Sequence, residues 1–117
     1  MELFVYNPDQ VAGLALCNLL RLRKWEPIYY ANAEQLAEKL RFATSGILIL
    51  DCASFSILSN ILKDLKLLVG TVPVILLTPF AQNEKEIQRL QQQGYHVLEK
   101  PVVLDELVKM IQQIGEK

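Results

Sequence analysis

The sequence has few of the residues that form disulfide frameworks or metal clusters. Its only cysteines are Cys17 and Cys52, and its only histidine is His96. Two thiols cannot form a disulfide framework, and one histidine with two cysteines does not show the ligand spacing of a structural zinc site. We therefore expect both cysteines to be small, reduced and buried apolar groups.

The sequence also lacks an excess of charge of one sign, and it lacks long apolar runs. Twelve basic residues against thirteen acidic residues leave a net charge of −1, which argues against direct binding to nucleic acid or to a membrane through bulk charge. The longest apolar runs, such as 46–50 and 72–77, are far too short to cross a bilayer, and no signal peptide pattern is visible. These absences predict a cytoplasmic protein.

The rest of the composition is typical of a folded domain with an apolar core. Apolar residues make up 51% of the 117 positions and charged residues 21%, which excludes a disordered or low-complexity chain. This length falls in the commonest size range for one domain. We therefore predict a single domain over residues 1–117.

Short apolar strands alternate with helices along the sequence. The predicted strands are Leu3–Tyr6, Pro27–Tyr30, 46–50, 72–77 and His96–Glu99. The five predicted helices lie within 7–24, 32–40, 58–68, 84–93 and 103–114. Strict alternation predicts an α/β fold in which right-handed crossovers place helices on both faces of a parallel sheet. A flavodoxin-like three-layer sandwich with strand order 2-1-3-4-5 fits five such units.

Two asparagines are expected to begin the first two helices as capping residues. After the first strand, Asn7 stands at the cap, Pro8 at the first helical position and Gln10 at the third. Asn32 begins the second helix in the same way. The first helix carries apolar residues at roughly helical spacing, namely Val11, Leu14, Leu19 and Leu22.

Polar residues stand where the predicted strands end. Asp51 follows the third strand, Thr78 the fourth and Lys100 the fifth, while Asn7 and Asp9 follow the first. In this fold the carboxyl ends of the strands share one edge of the sheet, where ligands bind. A carboxylate, a hydroxyl and an ammonium group in one place could support phosphoryl transfer to the carboxylate.

At these residues the sequence resembles the receiver domains of response regulators in two-component signalling. The matching pieces are ILILD at 47–51, VPVILLT at 72–78 and EKP at 99–101, and the resemblance covers essentially the whole chain. It implies that Asp51 is the phospho-acceptor, Thr78 the switch hydroxyl and Lys100 the phosphate-contacting lysine. It also implies a cis peptide bond before Pro101.

The sequence departs from the receiver pattern after the first strand. Receivers carry two adjacent acidic residues there, which hold Mg²⁺ together with the acceptor, whereas this chain has Asn7 and Pro8. The remaining oxygen ligands would come from Asn7, Asp9 and Asp51, so we expect Mg²⁺ binding that is weak or absent. Pro79 follows the switch hydroxyl, and Val97 replaces the switch aromatic residue.

The resemblance implies a receiver domain of a phosphorelay, phosphorylated at Asp51 by a sensor histidine kinase or a phosphotransfer protein. Its downstream partner would bind the fourth predicted helix, the last strand and the fifth predicted helix, and a homodimer stays open. The alternative is a pseudo-receiver that binds proteins without phosphorylation. No nucleophile elbow, Walker A loop or dinucleotide glycine motif is present, so we predict no enzyme.

Overall fold

The computed structural model of the chain describes residues 2–43, 45–51, 60, 61, 63, 72–79 and 84–116. Within these residues the strands are β1 (Leu3–Tyr6), β2 (Pro27–Tyr30), β3 (Ile47–Asp51), β4 (Val74–Thr78) and β5 (His96–Glu99). The helices are α1 (Gln10–Leu22), α2 (Ala33–Phe42), α3 (Glu84–Gln92) and α4 (Leu104–Gly115). The third predicted helix, 58–68, lies almost wholly outside the described residues, so α3 and α4 are the fourth and fifth predicted helices.

All five strands are parallel and form one sheet in the order β2-β1-β3-β4-β5. This is the predicted flavodoxin-like order. Strands β3 and β4 are buried at every position, as expected for central strands that are covered on both faces. Their registers place Asp51 beside Leu77 and Thr78 beside Glu99, so the predicted polar strand ends lie at one edge of the sheet.

Each face of the sheet carries its own apolar cluster. One cluster joins the strands to α2 and α3 through residues such as Phe4, Leu36 and Leu90. The other joins them to α1 and α4 through residues such as Cys17, Leu20 and Ile111. Cys17 is fully buried and its thiol is free, and burial raises the pKa of that thiol. The expectation for Cys17 is confirmed, whereas Cys52 lies outside the described residues.

The prediction for the start of the first helix is wrong. The N-cap is Asp9, whose carboxylate accepts hydrogen bonds from the backbone N–H groups of Val11 and Ala12, so the helix begins at Gln10 and not at Pro8. The Asn7 side chain does not cap the helix, because it bonds to the Asp9 N–H and to Asp51. Asn32, by contrast, caps α2 as predicted, through bonds from the N–H groups of Glu34 and Gln35.

The buried face of α1 is not formed by the residues that the helical spacing singled out. The buried residues are Gly13, Cys17 and Leu20. The apolar residues that the spacing singled out lie outside the core and are exposed, namely Val11, Leu14, Leu19 and Leu22. Two apolar faces run along this helix. The face that contains Gly13 packs against the sheet. None of the helices in the described ranges is long and apolar enough to span a bilayer.

Candidate functional site

Asp51 is the centre of the polar cluster at the carboxyl edge of the sheet. It is the last residue of β3 and is 8% exposed. The Lys100 ammonium group forms an ion pair with its Oδ1, and the Asn7 amide donates a hydrogen bond of 3.1 Å to its Oδ2. Both oxygens of this buried carboxylate therefore face a donor from the protein, which offsets the cost of burying the charge.

Asn7 is held in place through all four of its polar groups. Its backbone N–H donates to the Tyr30 carbonyl at 3.2 Å, and its backbone carbonyl accepts from the Tyr29 hydroxyl at 2.6 Å. Its side-chain Oδ1 accepts from the Asp9 N–H at 2.8 Å. Since Oδ1 faces an N–H donor, the amide NH₂ must be the end that faces Asp51.

Asp9 is turned away from Asp51 by its role as the helix cap. Its Oδ1 accepts from Val11 N at 3.0 Å and from Ala12 N at 3.3 Å. The turn thus presents the Asn7 NH₂ group, and not an oxygen, to Asp51, and an NH₂ group does not bind Mg²⁺. No group of three His, Cys, Asp or Glu side chains that could hold a metal ion exists among the described residues. The described side chains at this edge do not fit a magnesium ion.

Tyr29 supports this turn from the neighbouring strand β2. A Cβ atom at Gly13 would overlap the Tyr29 ring, so only glycine leaves room for the ring against α1. Burial, and next the nearby Asp9 carboxylate, raise the pKa of the Tyr29 hydroxyl. The hydroxyl therefore stays protonated at neutral pH and donates to the Asn7 carbonyl.

Thr78 and Lys100 are joined through the backbone at the other side of the cluster. The Lys100 N–H donates to the Thr78 carbonyl at 2.7 Å, which places the lysine beside the end of β4. Thr78 is fully buried, and its hydroxyl has no hydrogen-bond partner among the described residues. The Lys100–Pro101 peptide bond is cis, the isomer that the resemblance implies.

The structure thus brings together four of the residues that the sequence singled out, Asp51, Lys100, Thr78 and Asn7. It separates Asp9 from them, because the Asp9 carboxylate caps α1. Sequence reasoning missed Tyr29 and Gly13. A signal existed, since a glycine inside a helix costs stability and often marks a close contact. Nothing in the sequence indicated which aromatic ring would fill that space.

The fold of the chain matches solved receiver structures. The chain resembles FixJ-N with a TM-score of 0.75 and 18% identity, covering 98% of this chain and 93% of that chain. It resembles a CheY-like response regulator receiver domain protein from Methanospirillum hungatei JF-1 with a TM-score of 0.74 and 16% identity, covering 97% and 92%.

A response regulator signal receiver domain from Bermanella marisrubri gives a TM-score of 0.71 at 19% identity, covering 96% of this chain and 95% of that chain. The chain matches no protein-family model and no curated protein. The chain therefore has the fold of response regulator receiver domains, and the resemblance found in its sequence is confirmed at the level of the fold.

Proposed function

We propose that this chain is a receiver domain of a two-component phosphorelay, in which Asp51 accepts a phosphoryl group and thereby controls the binding of a protein partner. One observation carries the proposal. Asp51 lies at the carboxyl edge of the sheet and pairs with Lys100, whose backbone bonds to that of Thr78. The three side-chain types needed to accept and hold a phosphoryl group meet at this edge.

In the proposed step, a carboxylate oxygen of Asp51 attacks the phosphorus of a phosphohistidine or a small phosphodonor. The bond from phosphorus to the donor breaks, and an acyl phosphate forms on Asp51. The Lys100 ammonium offsets the added negative charge. The Thr78 hydroxyl, which is buried without a hydrogen-bond partner among the described residues, donates a hydrogen bond to the phosphoryl group.

The test is incubation with acetyl phosphate and Mg²⁺, followed by intact-mass measurement. We expect the mass of the wild-type protein to rise by one phosphoryl group, and we expect no such rise in Asp51→Asn. Asp105→Asn is the matched control, because Asp105 is an exposed carboxylate that pairs with Arg23. Labelling that persists in Asp51→Asn would contradict the proposal, and so would the lack of any labelling in the wild-type protein.

A second candidate, a pseudo-receiver that binds its partner without phosphorylation, is favoured by the turn after β1. There the Asn7 amide already occupies Asp51 Oδ2, and Asp9 caps α1. We propose weak or absent Mg²⁺ binding on this ground, and slow phosphoryl transfer follows from it, since the ion offsets charge in this reaction. Partner binding that is equal in wild type and in Asp51→Asn would support this candidate over the first.

We propose that the downstream partner binds the face formed by α3, β5 and α4. The helix α3 is polar outside Ile87 and Leu90, and β5 is an edge strand that is only half-buried. A groove of about 530 Å³ on this face is lined by His96, Met110, Gln113, Ile114 and Glu116. The kinase or phosphotransfer protein would instead approach the edge that carries Asp51.

A further inference from the structure

Asn7 stands at one of the two positions where receivers carry acidic residues, and it presents a hydrogen-bond donor there. Its Nδ2 donates to Asp51 Oδ2 at 3.1 Å, and its Oδ1 accepts from the Asp9 N–H at 2.8 Å. If the amide turned over, its oxygen would face the carboxylate and its NH₂ group the N–H, so both bonds would be lost. Asn7 is buried, and a buried polar group without a partner is costly. The Asn7 side chain is therefore held as a donor toward Asp51.

Donor groups from three strand ends are available to a phosphoryl group on Asp51, which brings three acceptor oxygens. The Asn7 amide has two N–H groups, and one of them bonds to Asp51 Oδ2, so the second can donate to a phosphoryl oxygen. Thr78 follows Leu77, which pairs with Asp51 across the sheet, and its buried hydroxyl has no hydrogen-bond partner among the described residues. The Lys100 ammonium pairs with Asp51. These three groups can meet the three oxygens without a further ligand.

The charges at this edge also favour an amide over a carboxylate at position 7. A phosphoryl group carries a charge of about −1.5 to −2 at neutral pH, and the Lys100 ammonium supplies a positive charge beside Asp51. A carboxylate at position 7 would add a negative charge beside the phosphoryl oxygens, and a cation would then be needed to offset it. Asn7 adds no charge and supplies a donor, so the phosphorylated site needs no divalent cation for this purpose.

We propose that the Asn7 amide binds the phosphoryl group on Asp51 directly, so that phosphoryl transfer at this site is independent of divalent cations. The inference rests on the proposed phosphorylation of Asp51 and names how that reaction is controlled. An Asp51 oxygen bonds to phosphorus as the bond from phosphorus to the donor breaks. The Asn7 N–H, the Thr78 O–H and the Lys100 ammonium then each donate to one phosphoryl oxygen. The rate of transfer is the same with and without Mg²⁺.

The test measures the initial rate of labelling by acetyl phosphate in excess EDTA and in excess Mg²⁺. The two buffers have equal ionic strength, because salt screens charges, and intact mass gives the phosphorylated fraction. We expect the wild-type protein to be labelled at the same rate in both. Asn7→Asp replaces the donor by a negative charge, so its rate in EDTA should fall by about tenfold or more. Mg²⁺ should restore most of the rate of this variant, because a carboxylate is an oxygen ligand for the ion.

Two further variants separate the donor from the charge and from the fold. Asn7→Ala removes the donor without adding a ligand, so it should be labelled more slowly in both buffers, with no recovery in Mg²⁺. Asn32→Asp is the matched control, because Asn32 is an exposed cap of α2 whose side-chain oxygen accepts from Glu34 N and Gln35 N, and aspartate caps a helix equally well. We expect it to behave as the wild-type protein does. Circular dichroism checks that each variant is folded.

Wild-type labelling that requires Mg²⁺ would overturn this inference and leave the proposed function standing. The absence of wild-type labelling in both buffers would overturn the two together. Labelling of Asn7→Asp in EDTA at the wild-type rate would show that the Asn7 amide does not bind the phosphoryl group. Recovery of Asn7→Ala in Mg²⁺, or a Mg²⁺ dependence gained by Asn32→Asp, would also overturn the inference, because neither variant adds a ligand beside Asp51.

Discussion

The two halves of the polar edge agree with the prediction from the sequence to different degrees. On the side of β3, β4 and β5, the residues Asp51, Thr78 and Lys100 stand where the strand ends predict them. On the side of β1, Asn7 does not cap the helix and Asp9 does not face Asp51. The difference teaches that topology brings strand ends together, whereas the local turn decides which atoms they present.

The physical reason lies in the bonds that compete for each residue. Asp51 and Thr78 are strand residues, so the ladder of backbone bonds sets their positions. Asn7 and Asp9 follow a strand in a turn, where short polar side chains bond to nearby backbone N–H groups. Each of the two could have capped the helix, and the bond from Asn7 to Asp51 leaves the cap to Asp9.

The largest expected effect concerns the β3–β4–β5 side of the polar edge, where the residues stand as predicted. Lys100→Ala removes the partner of the buried Asp51 carboxylate and should lower the free energy of unfolding by about 2 kcal/mol. The double variant with Asp51→Ala should lose less than the sum of the two single variants, because no unpaired charge remains. Urea unfolding of the four proteins measures the coupling energy.

The matched control for that cycle is the exposed pair of Lys39 and Glu2, whose charged atoms are 3.7 Å apart. We expect its coupling to be about 0–1 kcal/mol, as is typical of surface ion pairs. Additive losses for Lys100→Ala and Asp51→Ala would contradict the pairing of these residues as the main compensation of the Asp51 charge.

The next effect tests how Gly13 and Tyr29 support the turn after β1, where the structure departs from the prediction. Gly13→Ala would push a methyl group into the Tyr29 ring, and overpacking of this kind costs about 1–3 kcal/mol. Tyr29→Phe should cost about 1 kcal/mol, since it removes only the bond to the Asn7 carbonyl. Thermal or urea unfolding gives both values. Stabilisation by Gly13→Ala, as an unhindered helix position would show, would mean that the ring does not hold the turn.

A smaller effect tests whether the turn excludes a metal ion. For a Kd of about 10 mM or higher, addition of about 10 mM Mg²⁺ should stabilise the wild-type protein by no more than roughly 0.4 kcal/mol. Asn7→Asp exchanges the amide donor for a carboxylate and should add about 1 kcal/mol of Mg²⁺-dependent stability. Asn7→Ala is the control, because it removes the bond to Asp51 without adding a ligand. Sub-millimolar Mg²⁺ binding by the wild-type protein that requires Asp9 would contradict the expectation.

The smallest expected effect is the conformational response to a phosphoryl mimic at Asp51. A near-complete switch between two states requires about 5.5 kcal/mol of differential stabilisation. In this chain few oxygen ligands for a metal ion remain, and Pro79 restricts the backbone of Thr78. Val97 stands at the switch aromatic position, so no aromatic ring is present there to change rotamer on phosphorylation. Amide hydrogen exchange with and without beryllofluoride should change little in β4, α3 and β5, and this outcome would favour the pseudo-receiver over control of the partner by Asp51. Large changes throughout these elements would instead favour control of the partner by phosphorylation of Asp51.

The sequence by itself determined the architecture and half of the site. The fully apolar runs within 46–50 and 72–77 predicted central parallel strands, because such strands are covered on both faces. The alternation of elements then predicted a parallel sheet, which the order 2-1-3-4-5 fits, and with it the meeting of Asp51, Thr78 and Lys100 at one edge. The Asn32 cap was also predictable, since the Asn32 side-chain oxygen accepts its bonds from the first turn of its own helix, at Glu34 N and Gln35 N.

Only the tertiary structure decided the rest. The helix α1 has apolar residues on two sides, so periodicity could not show which side faces the core, and the decision came from how closely Gly13 lets Tyr29 approach. The role of Asn7 depended on Asp51, a residue 44 positions away. Local pattern carries no information about such contacts, because their energy arises only when the folded sheet brings the partners together.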